Sequence, residues 1–320
     1  MLRTDGSLSL APFYDVVWTS GKVEPGSPYF DKQAGPQAQF HRTNVELQFL
    51  LSALGSGVLG VGDKPGFANR TLIMQAVQDD GVLRKALRPL TPIDAMFGDS
   101  RAGVPEGAQI FSTTSSFAID TGAQTDPYET DWLWHHIVGV NISVDFLLGP
   151  DDLSPPLTPH LQYVAYDYFN SEGCAHGAPS AGCVQPFGHG HPPLRLATTP
   201  ANEADLGFGL WRVAAVCVGF ASGSVESDGA GFALLGERTK YLAVAPQRVK
   251  RMQCTSGEFF VQWYGSAGEA VNMLVLDARN GVSNGTIVGM GMTHTEAGLG
   301  AMRCTVADGC TMGAKARVSN

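Results

Sequence analysis

Asp63 and Lys64 stand side by side in the run VLGVGDKPG at residues 58–66. A carboxylate accepts hydrogen bonds and an ammonium donates them, so together they can grip the paired hydroxyls of a sugar or polyol. The same Asp before Pro65-Gly66 can equally do no more than close a turn, since Pro65 presets φ and Gly66 is free to take φ > 0. Trp18, Tyr29 and Phe30 lie upstream, and an aromatic face suits a pyranose ring as well as it suits a core. Paired carboxylates occur at Asp79-Asp80 and Asp151-Asp152, where solvated turns account for them. His176, His189 and His191 lie near Cys174 and Cys183, but Cys-x-His is not a standard zinc ligand pair. A loop closed by a disulfide, with histidines in solvent, explains that spacing better. His135-His136 fall inside a strand-like run, so their rings point to opposite faces and serve packing.

These groups need elements to hold them. Residues 58–62 form an apolar run without polar alternation, the pattern of a strand buried on both faces. Asn69 offers an N-cap, and Leu72, Ile73, Ala76 and Val77 recur at helical spacing until Gly81. Upstream, Asn44 precedes Leu47, Leu50, Leu51 and Leu54, a second helix ended by Gly55. Helix, buried strand and helix are the alternation of an α/β fold, in which the loop after a strand faces the ligand. After Phe97 the texture changes. Residues 98–107 read as a connector, and strand-like runs follow at 109–117, 132–148, 161–169, 210–220, 232–235, 259–264, 270–276, 286–292 and 301–306. Turns at 266–269 and 284–285 look like hairpin turns, and so many strands predict a β-sandwich over residues 98–320.

The residues around Asp63 also carry a family resemblance. Gly60-Val-Gly-Asp-Lys-Pro-Gly66, then Asp80-Gly81 and the Arg88-Pro-Leu-Thr-Pro-Ile-Asp94 segment, resemble clan D glycoside hydrolases, the α-galactosidase and raffinose synthase group. The stretch LAPFYDVVW at 10–18 and the motif Leu234-Leu-Gly-Glu237, Lys240-Tyr241 and Pro246-Gln-Arg248 are similar to large eukaryotic members. The resemblance implies that residues 1–97 are the closing βα units of a (β/α)8 barrel, incomplete here, followed by the antiparallel C-terminal β-sandwich. It further implies an α-linked, galactose-type sugar as substrate, no cofactor, and Asp63 and Lys64 as substrate-binding residues, which Trp18 joins on account of its aromatic face. Retaining glycosidases need two carboxylates about 5–5.5 Å apart. In this family the second lies in an Arg-Ala-Ser-x-Asp-like segment that the chain lacks, and Asp15 stands near its place in the wrong context. No catalytic residue is therefore expected here, and the missing N-terminal part of the barrel would be a partner. Two other readings compete: a non-catalytic carbohydrate-binding or structural module, and a relative that has lost its activity.

Composition sets the outer bounds. The 320 residues are 44% hydrophobic and 16% charged, which is globular, and 39 glycines with 19 prolines suit a turn-rich β protein. A net charge of −9 without a basic run argues against nucleic-acid or anionic-membrane partners. Cys174 with Cys183 and Cys304 with Cys310 each enclose a short loop, so each pair is expected as a disulfide adding roughly 2–3 kcal/mol. Cys217 and Cys254 are either buried thiols or a third pair. The sequons at Asn141 and Asn284 point with the cysteines to a secreted or endomembrane-lumenal protein, whereas the Asn69 sequon is compromised by its capping role. Met1-Leu-Arg-Thr-Asp-Gly has no signal-peptide core, so the chain is expected to be a fragment or a truncated reading.

Overall fold

A computed structural model describes residues 14–21, 44–93, 108–119, 131–142, 146–158, 161–169, 184–198, 206–218, 231–255, 258–279, 281–282, 285–305 and 308–313. The chain opens with β1 (Tyr14–Val17), α1 (Val45–Leu54), β2 (Leu59–Val61), α2 (Arg70–Met74) and β3 (Thr91–Pro92). Then come β4 (Gln109–Ala118), β5 (Asp131–Val140), β6 (Phe146–Leu148), β7 (Tyr163–Asp167), β8 (Val184–Phe187), β9 (Leu194–Leu196) and β10 (Phe208–Ala215). The last part is β11 (Cys217–Val218), β12 (Gly231–Glu237), β13 (Val249–Thr255), β14 (Glu258–Gly265), β15 (Ala270–Asp277), β16 (Thr286–Thr293), β17 (Gly298–Thr305) and β18 (Gly309–Gly313).

Three antiparallel sheets dominate: β3-β4-β5-β10-β7-β8, β11-β12-β15-β16 and β13-β14-β17-β18. The two four-stranded sheets form a β-sandwich. Phe232 of β12 and Phe259 of β14 stack with centroids 6.2 Å apart, and a disulfide joins Cys217 of β11 to Cys254 of β13. A second disulfide joins Cys304 to Cys310, directly opposite each other on β17 and β18. The core continues without a break into the six-stranded sheet, where the Trp134 indole donates to Leu234 O at 2.8 Å. Turn 266–269 is not a hairpin turn: it carries the chain from β14 in one sheet to β15 in the other. By contrast, β15 and β16 pair antiparallel as consecutive strands, with Asp277 opposite Thr286.

The expected closing units of a (β/α)8 barrel are overturned. About 50% of the described residues are strand and 9% helix, with two short α-helices, so the fold is mostly β. Strands β1 and β2 are parallel and joined through α1, but they form a sheet of two rather than part of a ring. Nor is β2 buried on both faces, with Val58 57% and Val61 40% exposed. The reason lies in where α1 puts its apolar side. Leu47, Phe49, Leu50 and Leu54 pack against Val138, Val140 and Leu210 on the six-stranded sheet, not against a barrel wall. Residues 136, 138 and 140 of β5 sit opposite Arg212, Leu210 and Phe208 of β10, so one sheet face receives the whole N-terminal unit. Residues 91–92 add themselves to the edge of β4.

Local expectations fared unevenly. Asn69 caps α2, its side chain accepting from the Leu72 N–H at 3.2 Å. Asn44 does not cap α1; it takes φ 56, and its side-chain oxygen accepts from the Leu206 N–H at 2.6 Å instead. Helix α2 stops at Met74, because Val77 bridges to Leu83 and the Arg84 N–H donates to Ala76 O at 3.0 Å. Gly81, at φ 85, serves that reversal rather than a longer helix. No described helix is long and apolar enough to cross a membrane.

Candidate functional site

The carboxyl ends of parallel strands lie together, and β1 and β2 thus bring Thr19 and Ser20 beside Asp63. One carboxylate oxygen of Asp63 accepts from the Thr19 N–H at 2.7 Å and the Thr19 hydroxyl at 2.6 Å; the other accepts from the Ser20 N–H at 3.2 Å. The buried Thr19 hydroxyl accepts in turn from the Asn69 N–H at 2.8 Å. Asp63 is therefore a clasp that ties the end of β1 to the start of α2. Lys64 is exposed, with its ammonium 5.7 Å from the Phe67 ring centroid. Trp18 is half-buried and its ring lies against Gly62, where an added Cβ would meet it at 3.6 Å. The three residues share one edge of the small sheet, and a cleft lies elsewhere.

That cleft is built on a buried ion network. Strand β12 carries an irregularity against β15 between Leu234 and Gly236, and Gly236 takes φ +94. A Cβ there would come within 2.6 Å of the Ala243 backbone, so only glycine fits. The next residue, Glu237, is buried and accepts from the guanidinium of Arg84 and from Arg248 Nε at 2.9 Å. Arg248 reaches on to Glu269 with both terminal nitrogens, Nη1 at 2.9 Å from Oε2. Glu269 also accepts from the Ser266 N–H at 2.9 Å. Burial pushes its carboxyl up, but the hydrogen bonds from Arg248 and Ser266 outweigh it and hold the pKa at about 2. Arg84 completes its fork on Leu242 O at 3.1 Å. Lys240, lowered by burial, donates to Met74 O at 2.7 Å and Val77 O at 2.8 Å, which closes the carbonyl end of α2.

Above this network lies a cleft of about 580 Å³. Glu237, Lys240 and Glu269 of the network line it together with Glu46, Arg70, Thr71, Asp79, Phe169, Arg238 and Thr239. Phe169 is 37% exposed, and its ring is held edge-on by Tyr168 at 5.0 Å and Phe208 at 5.3 Å. Glu46 accepts from the Tyr241 hydroxyl at 3.2 Å, and burial raises that phenol's pKa. The side chains of Arg70, Asp79 and Arg238 make no hydrogen bond or ion pair among the described residues.

The other candidates fall out as follows. Cys174, Cys183, His176 and Asn284, with Tyr29 and Phe30, lie outside the described residues. His189 Nε2 lies 3.8 Å from Asp151, and among the described residues no group of His, Cys, Asp and Glu could hold a metal. Asn141 sits half-buried at the end of β5 with φ 53, its N–H donating to Gly207 O at 2.7 Å. The two disulfides fit an oxidising compartment.

No family model matches this chain, and no curated protein matches it in sequence.

The cleft was not visible as a site in the sequence, although its residues were in view. Glu237, Lys240, Tyr241 and Arg248 belong to the motif that carried the family resemblance, and all of them join the network or its rim. The available signal was a dense charged cluster, Glu237 to Lys240, directly after an apolar strand. Nothing local showed that Arg70, Asp79 and Phe169 would converge on it.

Proposed function

We propose that this chain binds carbohydrate without hydrolysing it, in the cleft between α1, α2 and the β12–β13 connection. The observation that carries the reading is one cavity wall combining the exposed Phe169 ring with Asp79, Arg70, Arg238 and two threonine hydroxyls. Ring faces stack on the apolar C–H face of a pyranose, while carboxylates, guanidinium groups and hydroxyls satisfy its hydroxyls. The cavity falls in the size range of small-molecule sites, roughly 300–1,000 Å³. The resemblance to sugar-processing enzymes supports the same class of ligand. Hydrolysis would need a carboxyl able to give up a proton near neutral pH. Glu269 is held ionised by Arg248, and Glu237 is shared between two arginines. Calorimetric titration with a panel of monosaccharides and short oligosaccharides tests the reading: binding that weakens about tenfold in Phe169→Ala supports it, and no binding across the panel refutes it.

A second reading rests on the parallel β1-α1-β2 unit with Asp63 at its carboxyl edge. In it the chain is the C-terminal part of a clan D-like hydrolase acting on α-linked galactosugars, with the catalytic carboxylates outside this sequence. A chromogenic α-galactoside should then show no turnover by the chain alone. Turnover that vanishes in Asp63→Asn would contradict both readings. In either reading the protein works in a secretory lumen or outside the cell, where Cys217–Cys254 and Cys304–Cys310 persist.

A further inference from the structure

We infer that the ligand of the cleft is an acidic sugar, a hexuronate whose carboxylate is taken by Arg70 and Arg238; this rests on the carbohydrate reading above. Arg84 and Arg248 are spent on Glu237 and Glu269. Arg212, 4.3 Å from the Tyr168 ring centroid and beside Asp167, is turned to the Lys240 carbonyl. Setting these aside leaves Arg70, Arg238 and Lys240 against Glu46 and Asp79 on the cleft wall. Lys240 is occupied by the two α2 carbonyls and Glu46 by the Tyr241 hydroxyl. Among the described residues, two unengaged guanidinium groups therefore face one unengaged carboxylate. The cleft carries an excess of positive charge on a chain whose net charge is −9.

Guanidinium forks match a carboxylate geometrically, with two parallel N–H donors for two oxygens. A singly charged carboxylate suits this cleft better than a phosphate, whose second charge would sit among Asp79 and Glu46. Among the described residues that line the cleft there is also no glycine-rich loop of backbone N–H groups to cradle a phosphate. Asp79 then accepts from ring hydroxyls, as do Thr71 and Thr239, and Phe169 stacks on the ring face. The ligand this wall complements has one carboxylate, several hydroxyls and one apolar face.

The test is a matched comparison by calorimetry: D-galacturonate against D-galactose, and D-glucuronate against D-glucose. Each pair differs only at C6. The inference expects at least one uronate to bind about tenfold or more tightly than its neutral partner, with the advantage shrinking at high salt. Arg70→Gln and Arg238→Gln should each weaken uronate binding by a larger factor than neutral-sugar binding, so that most of the uronate advantage is lost. Their melting temperatures should match the parent, since neither guanidinium has a partner to lose among the described residues. Equal affinity for acidic and neutral sugars, or a preference indifferent to both substitutions, overturns the inference while the carbohydrate reading stands. Failure of all four sugars, and of oligosaccharides containing them, overturns both.

Discussion

Asp63 accepts hydrogen bonds from Thr19 and Ser20, so its carboxylate is committed to joining β1 to α2. Asp63→Asn puts an amide among donors, and loss of such charged hydrogen bonds is expected to cost about 1.5–3 kcal/mol in urea unfolding without changing sugar affinity. Sequence correctly placed Asp63 at the end of a strand, but it could not show which of its two readings holds, because Thr19 is 44 residues away. His135 and His136 are fully buried, and both ring nitrogens of His135 lack a partner among the described residues. Burial lowers the His135 pKa from 6.5 to about 4 and pushes His136 well below its ordinary value, with Arg212 and His135 adding to it. The unfolded chain then binds protons that the folded chain refuses. Stability is full above the unfolded value near 6.5 and falls as the pH drops through that value toward 4, by about 3 kcal/mol for His135 alone. Melting temperature followed from pH 7 to pH 5 should fall in the parent and fall less in His135→Leu.

Elements meet where the ion network binds the N-terminal unit to the sandwich. Arg84 comes from the segment after α2, Glu237 from the end of β12, Arg248 from the turn just before β13, and Glu269 from the turn before β15. Removing one partner strands the others, so Arg248→Met is expected to lose about 3–5 kcal/mol in denaturant unfolding and to open the cleft floor, weakening sugar binding as well. Strand runs were legible because their apolar and β-branched residues cluster between turns. Helix α2 was legible at its capped start and misread at its end. The apolar spacing of Ala76 and Val77 fits a helix, yet these two residues pair backward with Leu83 and Arg84. The turn at 266–269 was misread for a related reason: Glu269 is drawn to Arg248, and this sends β15 into the other sheet.

Across the whole molecule, the β-rich half was readable from composition, whereas the barrel was not a property of residues 1–97 at all. A helix-strand alternation shows only that an apolar helix face must be covered, and here the six-stranded sheet covers it. With β2 paired on one side only among the described strands, the amides of Leu59–Val61 are expected to exchange hydrogen faster than those of Phe259–Tyr264 at the centre of the sandwich. The disulfide between Cys217 and Cys254 spans 37 residues and ties the two sheets, so its reduction should cost about 4 kcal/mol by the loop-entropy relation, read as a fall in the urea midpoint. The most direct test of carbohydrate binding in the cleft is amide chemical-shift mapping during titration with the tightest-binding sugar of the panel. Shifts centred on Thr71, Phe169 and Arg238 to Lys240 are the predicted result. Shifts centred instead on Thr19, Asp63 and Lys64, or none anywhere at saturating sugar, would contradict it.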